Sequence, residues 1–271
     1  MVGVSFKGRM GNQLFQFYFY LYLKAKYKHK FIFLPNPHHA YFIKYFDLGP
    51  YYDIILGSKI YSLFARSLPK IFKLKNVYFE NFVRRTDIEV QENTIYNGYF
   101  QTDWYVKYLP SPPAMKLKKQ YQEKFDQLYG EVFSNSKTIV VHIRRTDYLS
   151  YGKRDISLPM EYFKTRLEAI ENVDSYKVFF VSDDMEHVKA TFTQKPNFIF
   201  ASNDEITDFQ LIRSADIAII SNSTFSWWAA YLSEKKNIVH APKNWFGFRM
   251  GVEHPKGIMT DRFIWHDVLA H

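Results

Sequence analysis

The second half of the chain alternates between continuous apolar runs and longer amphipathic stretches. The apolar runs predict strands, and the stretches whose apolar residues recur at helical spacing predict helices. A parallel sheet with helices on both faces gives this pattern, because its strands are buried on both sides. The predicted strands are Thr138–Ile143, Lys177–Ser182, Asn197–Phe200, Asp216–Ser221 and Asn237–Ala241, and the predicted helices are Leu158–Ile170, Met185–Phe192, Ile206–Ser214 and Thr224–Leu232.

The first half is less regular. Its pattern predicts strands over Val2–Phe6, Phe31–Leu34 and Asn93–Phe100 and a helix from about Leu14 to Lys26. Over Pro35–Lys75 the pattern is weak, with short aromatic segments interrupted by Pro and Gly, and no element is assigned. Prolines 110, 112 and 113 mark a boundary, since proline and the residue before it disfavour helix, and a polar helical stretch over 115–129 follows them. We therefore predict an α/β protein of two Rossmann-like lobes, residues 1–113 and 114–271. Whether the last residues pack back on the first lobe is left open.

Composition narrows the possible classes of protein. The 271 residues contain no cysteine, which excludes disulfides, thiolate metal sites and cysteine nucleophiles. The N-terminus lacks a signal-peptide pattern, and no apolar run approaches the ~18 residues of a membrane helix. A cytoplasmic protein is the resulting expectation.

Charge is concentrated in the first 80 residues. This segment holds twelve Lys and Arg against three Asp and Glu, a balance of +9, and 21 of the 47 Phe and Tyr residues. Such a segment suits an anionic ligand or the inner face of an anionic membrane, or it is simply a solvated basic face. It carries no RNA- or DNA-binding signature, so no nucleic-acid partner is predicted.

The most informative segment is TIVVHIRRTDY, residues 138–148. A buried strand runs directly into His142, Arg144, Arg145, Asp147 and Tyr148. Guanidinium groups are costly to bury without an anion, and their planar fork matches phosphate oxygens. Ligands of open α/β sheets bind at the carboxyl ends of the strands. The segment therefore indicates a phosphorylated ligand, with a structural Arg–Asp pair as the alternative.

Three other turns carry polar residues after a predicted strand. The turn Gly8–Gln13 aims a helix start at an anion or simply joins strand to helix. Asp183 and Asp184 accept hydrogen bonds from a nucleoside or cap the next helix. Ser223 and Thr224 likewise bind phosphate or act only as caps. No metal-ligand motif and no GxSxG nucleophile elbow is present.

Five segments together resemble glycosyltransferase family 11, the bacterial α-1,2-fucosyltransferases. They are GRMGNQLFQF (8–17), NGYFQTDWY (97–105), VVHIRRTDY (140–148), FFVSDD (179–184) and SNSTFSWWAAYL (221–232). The resemblance implies a GT-B-like fold, with a cleft between an acceptor-side first lobe and a second lobe that holds GDP-fucose. It also implies inverting, metal-free transfer of L-fucose to the 2-hydroxyl of a terminal β-galactoside, with no cofactor beyond the donor GDP-fucose.

The same resemblance assigns roles to residues of this chain. Arg144 is expected to neutralise the β-phosphate, with Arg145 behind it, and one preorganised contact of this kind is worth ~3–4 kcal/mol. His142, Asp147 and Asp155 are candidates for the base. The expected donor-binding residues are Arg9, Gly11, Asn12, Asp183 or Asp184, Ser223, Thr224 and Phe225. Two alternatives stay open: a non-catalytic nucleotide- or glycan-binding protein, and a fucosyltransferase of different linkage. The acceptor glycan is expected to be a galactoside, with a lipid-linked form left open.

Overall fold

The computed structural model describes residues 1–79 and 87–268, which divide into two units. The first unit comprises Met1–Lys118 and His254–Thr260, and the second comprises Lys119–Glu253 and the chain from Asp261 onward. The first unit thus extends five residues beyond the predicted boundary at 113 and includes a short segment from near the C-terminus. Thr260 Oγ1 in that segment donates a 2.5 Å hydrogen bond to the buried carboxylate of Asp103.

The first unit contains a four-stranded parallel sheet in the order β2-β1-β5-β4. Its elements in chain order are β1 (Val2–Val4), α1 (Met10–Lys26), β2 (Ile32–Phe33), β3 (Phe46–Asp47), α2 (Pro50–Gly57), α3 (Lys59–Ile71), β4 (Lys75–Tyr78), β5 (Thr94–Asn97), α4 (Trp104–Lys107) and β6 (Lys116–Leu117). β3 and β6 form a separate antiparallel pair.

Helix α1 begins at Met10, four residues before the predicted start. The sequence pattern places the start too late because the first two turns contain polar residues, which in the structure are buried and hydrogen-bonded. The Gln13 side-chain amide donates to the Gly8 and His39 carbonyls at 2.9 and 2.7 Å, and that of Gln16 donates to the Gly98 carbonyl at 2.8 Å. From Gln13 to Leu23 every residue of the helix is buried. Apart from the two glutamines, this stretch is apolar or aromatic on all sides, as is typical of a buried helix.

The stretch Pro35–Lys75, to which the sequence pattern assigns no element, contains the helices α2 and α3. Ser58 begins α3 as an N-cap, and its side chain accepts a hydrogen bond from the Tyr61 amide at 3.2 Å. The apolar residues of α3 do follow the helical repeat, but most of the large ones lie on the exposed face, and the buried face holds Ser62, Ala65 and Leu68.

The second unit is built on a six-stranded, all-parallel sheet in the order β12-β11-β10-β7-β8-β9. Its elements are α5 (Lys119–Asn135), β7 (Thr138–Ile143), α6 (Met160–Glu168), β8 (Lys177–Ser182), α7 (Met185–Thr191), β9 (Phe198–Phe200), α8 (Glu205–Ser214), β10 (Ile217–Ile220), α9 (Thr224–Tyr231), β11 (Ile238–Pro242) and β12 (Ile264–His266). The predicted α/β class, with a parallel sheet in the second half, is confirmed.

Alternation along β7 distributes its side chains between two cores. Ile139, Val141 and Ile143 pack in a buried cluster that includes Phe163 of α6 and Val188 of α7. On the opposite face, the ring of His142 lies 5.7 Å from that of Phe225 in α9, measured between centroids. All six residues of β7 are buried, so the strand is a rigid support for the residues that follow it.

Candidate functional site

Three strands of the second unit end side by side. In the register of the sheet, Ile143 pairs with Ser182 of β8, and His142 pairs with Ile220 of β10. The loops after these strands therefore begin at the same edge. These loops and the ends of the elements that they join carry the predicted residues His142, Arg144, Arg145, Asp147, Asp183, Asp184, Ser223, Thr224 and Phe225, which the fold places around one sheet edge.

Arg144 lies between two carboxylates. Its Nε–H donates to Asp147 Oδ1 at 2.8 Å, and its Nη1 lies 3.2 Å from Asp183 Oδ2. Burial lowers the pKa of Arg144, but the bond to Asp147 and the charge of Asp183 outweigh it, so the pKa is raised. The guanidinium stays charged. Within residues 1–79 and 87–268 its Nε–H is bonded to Asp147 and its Nη1 contacts Asp183, so three of its five N–H groups are available to an anion.

Asp183 holds the loop that carries the arginines. Its carboxylate accepts from the backbone amides of Arg145 and Thr146 at 2.8 and 3.2 Å, and from the Thr146 hydroxyl. Together with the Arg144 contact, this gives Oδ2 three partners and Oδ1 one, so only Oδ1 keeps a lone pair for a further donor. The sequence predicted that Asp183 binds a nucleoside or caps the next helix. The structure shows a third role, in which its carboxylate holds the loop at Arg145 and Thr146.

Asp184 pairs with the second arginine. Its Oδ2 accepts from Arg145 Nε at 3.1 Å, and its Oδ1 caps α7 by accepting from the His187 amide at 3.3 Å. The side chains of Arg144 and Arg145 are 21% and 24% exposed. Because the two exposures are nearly equal, burial does not show whether Arg144 faces the ligand and Arg145 lies behind it.

His142 is buried in the sheet beneath these arginines. Its Nδ1 lies 3.0 Å from the Ser221 hydroxyl, and burial together with the charge of Arg144 lowers its pKa to about 3. The imidazole is therefore neutral at physiological pH. It supports the packing of Phe225, which in turn contacts Phe209 of α8 with a centroid distance of 5.5 Å.

The loop between β10 and α9 is the second wall of the site. Asn222 is fully buried; its Nδ2 donates to the Ile156 carbonyl at 2.8 Å, while its Oδ1 has no partner within the described part of the chain. The Tyr148 hydroxyl donates to the Asn222 carbonyl at 3.3 Å. Burial raises the pKa of Tyr148. Ser223, Thr224 and Phe225 follow at the start of α9.

Sequence reasoning missed several residues of this wall. Asn222 lies in the segment SNSTFSWWAAYL (221–232), but only the three-dimensional structure shows that its Oδ1 is buried without a hydrogen-bond partner in the described ranges. The rings of Tyr151 and Phe246 stack with centroids 6.3 Å apart, and Tyr148 meets Phe246 edge-on at 5.8 Å. Nearly one hundred residues separate Phe246 from the tyrosines in the sequence, so no local pattern indicates this aromatic group.

Asp155, the third candidate for the base, is engaged by its own loop. Its Oδ1 accepts from the Ser157 amide and hydroxyl at 2.8 and 2.6 Å. Burial raises the pKa of Asp155, but these two bonds and the charges of Arg249 and Arg145 lower it further, and the net shift is downward.

The predicted residues of the first unit lie at the start of α1. Gly8 has a φ of +79°, and a Cβ there would lie 2.7 Å from Asn12 Nδ2, so only glycine fits this turn. Arg9 is exposed at the N-cap without a side-chain capping bond, Gly11 is buried, and Asn12 is partly exposed. Asn12 Oδ1 accepts from the buried Gln101 amide at 2.8 Å, and Gln101 was not predicted.

Neither a metal cluster nor a membrane-spanning element is found in the described ranges. Over residues 1–79 and 87–268, no group of three or more His, Asp or Glu is arranged to hold a metal ion. Within the same ranges, none of the helices has the length and apolar character needed to cross a membrane.

Comparison with known proteins gives a family and two relatives. The sequence model of Glycosyl transferase family 11 matches residues 1–251. The O-antigen biosynthesis glycosyltransferase WbnK of Escherichia coli is 30% identical over 199 residues, which cover 68% of this chain and 66% of that protein. The alignment thus spans just under two thirds of WbnK. An alpha-1,2-colitosyltransferase of Escherichia coli is 26% identical over 211 residues, covering 67% of this chain and 68% of that protein.

One solved structure extends the comparison to the fold. The crystal structure of the glycosyl transferase family 9 protein from Veillonella parvula aligns with a TM-score of 0.51 and 12% identity. It covers 98% of this chain and 85% of that one. At this identity the likeness concerns the fold alone, and it confirms the expected GT-B-like class.

Proposed function

Because the chain belongs to glycosyl transferase family 11, we propose that it transfers L-fucose from GDP-β-L-fucose to the 2-hydroxyl of a terminal β-galactoside. The reaction inverts the anomeric carbon and needs no metal ion. The acceptor is a glycan of the cell-surface type, in line with the O-antigen biosynthesis named for WbnK.

The arginine loop is the observation that carries this proposal. A charged guanidinium at Arg144 is held by Asp147 and Asp183 at the carboxyl edge of a parallel sheet, with N–H donors to spare. An enzyme that breaks a sugar–phosphate bond needs positive charge beside the leaving phosphate. A fixed guanidinium supplies that charge without a divalent ion.

In the proposed reaction, the acceptor oxygen bonds to the anomeric carbon of fucose as the bond from that carbon to the β-phosphate oxygen breaks. The electron pair of the broken bond stays with GDP. Arg144 stabilises this growing charge, and Arg145 supports the loop through Asp184. Ser223 and Thr224, at the start of α9, bind the phosphates through their hydroxyls, Phe225 lines the sugar, and Arg9, Gly11 and Asn12 of the first unit contribute to donor binding.

The two aspartates differ in their capacity for a ligand. Asp183 already accepts from two backbone amides and a hydroxyl and contacts Arg144, which leaves a lone pair on Oδ1 alone, so we assign it to holding the loop. Asp184 accepts one hydrogen bond at each oxygen and keeps a lone pair on each. We therefore propose Asp184 as the residue that binds the guanosine.

The acceptor hydroxyl must also lose its proton. His142 is poorly suited to this task, because its pKa of about 3 and its burial leave it a weak, inaccessible base. Asp147 is half exposed, with 52% of its side chain accessible, and lies against Arg144. We propose Asp147 as the base, ahead of Asp155, because the bonds from Ser157 and the charges of nearby arginines lower the pKa of Asp155 and make it a weaker base.

The donor sugar is tested by direct competition. Colitose is L-fucose without its 3-hydroxyl, and one relative bears the name of a colitosyltransferase. A site that binds the 3-hydroxyl discriminates against its absence by a factor of about 10⁴ or more. We expect kcat/KM with lactose to favour GDP-fucose over GDP-colitose by that order, and the product to carry an α-1,2 linkage by NMR. A preference for GDP-colitose reassigns the donor, and tight GDP binding without transfer to any galactoside contradicts the enzymatic proposal.

A further inference from the structure

Helix α3 of the first unit exposes large apolar side chains. Ile60, Leu63 and Ile71 are 84%, 65% and 66% exposed, and Phe64 is 50% exposed. The core does not need them, because α3 packs inward through Ala65 and Leu68 in a cluster with Phe33, Leu74 and Ile95. An apolar surface of this kind on a solvent-exposed helix face marks an interaction site.

These side chains form a single stripe. Residues 60, 63, 64, 67 and 71 follow the helical repeat and fall within an arc of about 100°. The one polar member, Ser67, bonds its hydroxyl to the Phe64 carbonyl at 2.7 Å. Its polar group therefore already has a partner, and removing the stripe from water leaves no hydroxyl unpaired.

A basic row runs along one side of this stripe. Lys59, Arg66 and Lys70 are spaced seven and four residues apart, which places them on one line of the helix beside the apolar residues. All three are exposed. Lys73 and Lys75 follow, and residues 54–79 contain these five basic residues and no acidic one. Helix α3 therefore has three faces: one buried against the core, one exposed and apolar, and one exposed and cationic.

We propose that the α3 stripe docks on an anionic lipid bilayer. The apolar side chains enter the boundary between headgroups and acyl chains, and the basic row lies at the level of the lipid phosphates, with the lysine stems along the apolar surface. A second copy of the chain suits the surface less well, since an antiparallel two-fold pairing on this stripe brings two basic rows together. Docking of this kind keeps the first unit at the membrane, independently of the transfer reaction.

The test is flotation of the purified protein with lipid vesicles. We expect binding to phosphatidylcholine vesicles that contain phosphatidylglycerol and little binding to phosphatidylcholine alone, with affinity falling as NaCl is raised. The double variant Ile60→Asn, Leu63→Asn keeps every charge and should weaken binding about tenfold or more, because two apolar side chains no longer gain from burial. The matched control is Leu128→Asn, an exposed leucine on α5, which should bind as the original protein does.

A second pair of variants tests the charge. Lys59→Gln with Lys70→Gln should weaken binding to anionic vesicles by more than about tenfold, since each basic side chain near the surface contributes about fivefold. Lys236→Gln with Lys256→Gln removes the same charge elsewhere on the surface and should change binding by less than about twofold. Thermal melting and transfer to soluble lactose should be unchanged in all variants, because every altered side chain is exposed and none belongs to the candidate site.

Two results overturn the proposal. One is anionic-vesicle binding by the Ile60→Asn, Leu63→Asn variant that equals the original protein's. The other is self-association of the original protein, seen by light scattering and lost in that variant, without vesicle binding by either, which assigns the stripe to a second copy of the chain.

Discussion

Replacing Arg144 by alanine should abolish most of the transfer activity and leave the fold intact. The loop after β7 holds this charged guanidinium between Asp147 and Asp183. Removing a preorganised donor from a developing anion costs about 2.7–4 kcal/mol of transition-state stabilisation, equal to about 10²–10³ in kcat. GDP binding should also weaken, because the product phosphate carries the charge that Arg144 meets.

The stability cost should be small. The pair with Asp147 is half exposed, and such pairs contribute about 0–1 kcal/mol. Asp183 loses one ion-pair contact but still accepts from two amides and the Thr146 hydroxyl, so its charge stays compensated. A loss of about 1 kcal/mol lowers the Tm of a unit of this size by about 2–4 °C.

The assay combines initial rates with GDP-fucose and lactose, calorimetry with GDP, and thermal melting. Arg144→Lys should recover only part of kcat, because an ammonium keeps the charge and loses the planar fork. Arg213→Ala is the matched control: it removes an ion pair with Glu234 at 2.7 Å on the same unit and should leave kcat unchanged. Unaltered kcat and GDP affinity in folded Arg144→Ala would refute the phosphate-binding role.

Three further outcomes are expected. Asp183→Asn should lower kcat at least about tenfold and raise proteolytic cleavage near residue 146, because an amide replaces an oxygen that accepts from the loop; an intact loop with full activity would exclude this scaffold role. His142→Asn should have a lower free energy of unfolding than the original protein at pH 7.5. This difference should narrow by about 1.4 kcal/mol per pH unit below 6.5, because His142 binds a proton in the unfolded chain but stays neutral in the folded protein, where its pKa is about 3. A constant difference between pH 7.5 and 5 would contradict a buried neutral imidazole. Excess EDTA should leave the transfer rate unchanged, and restoration of a lost rate by Mg²⁺ would refute the metal-free mechanism.

Much of the second unit is predictable because its strands are buried on both faces. Thr138–Ile143 and Lys177–Ser182 are observed over the predicted residues, and α9 begins at Thr224 as predicted. In each case an apolar run ends abruptly at polar residues, so local sequence and tertiary burial agree. In the first unit this agreement fails: the outward-facing apolar residues of α3 and the buried amides of Gln13 and Gln16 reverse the usual pattern.

By itself the sequence determined the α/β class, the strand that carries Arg144, and the family, since these depend on apolar periodicity and on contiguous motifs. Only the tertiary structure decided what the charged residues contact. Asp183 reaches Arg144 and the Thr146 amide from 37 or more residues away because β7 and β8 pair in register. The pKa of His142 depends on burial between the sheet and α9. Such contacts depend on distances in space, which no local pattern of residues encodes, and they set the charge on each group and its remaining capacity to bind a ligand.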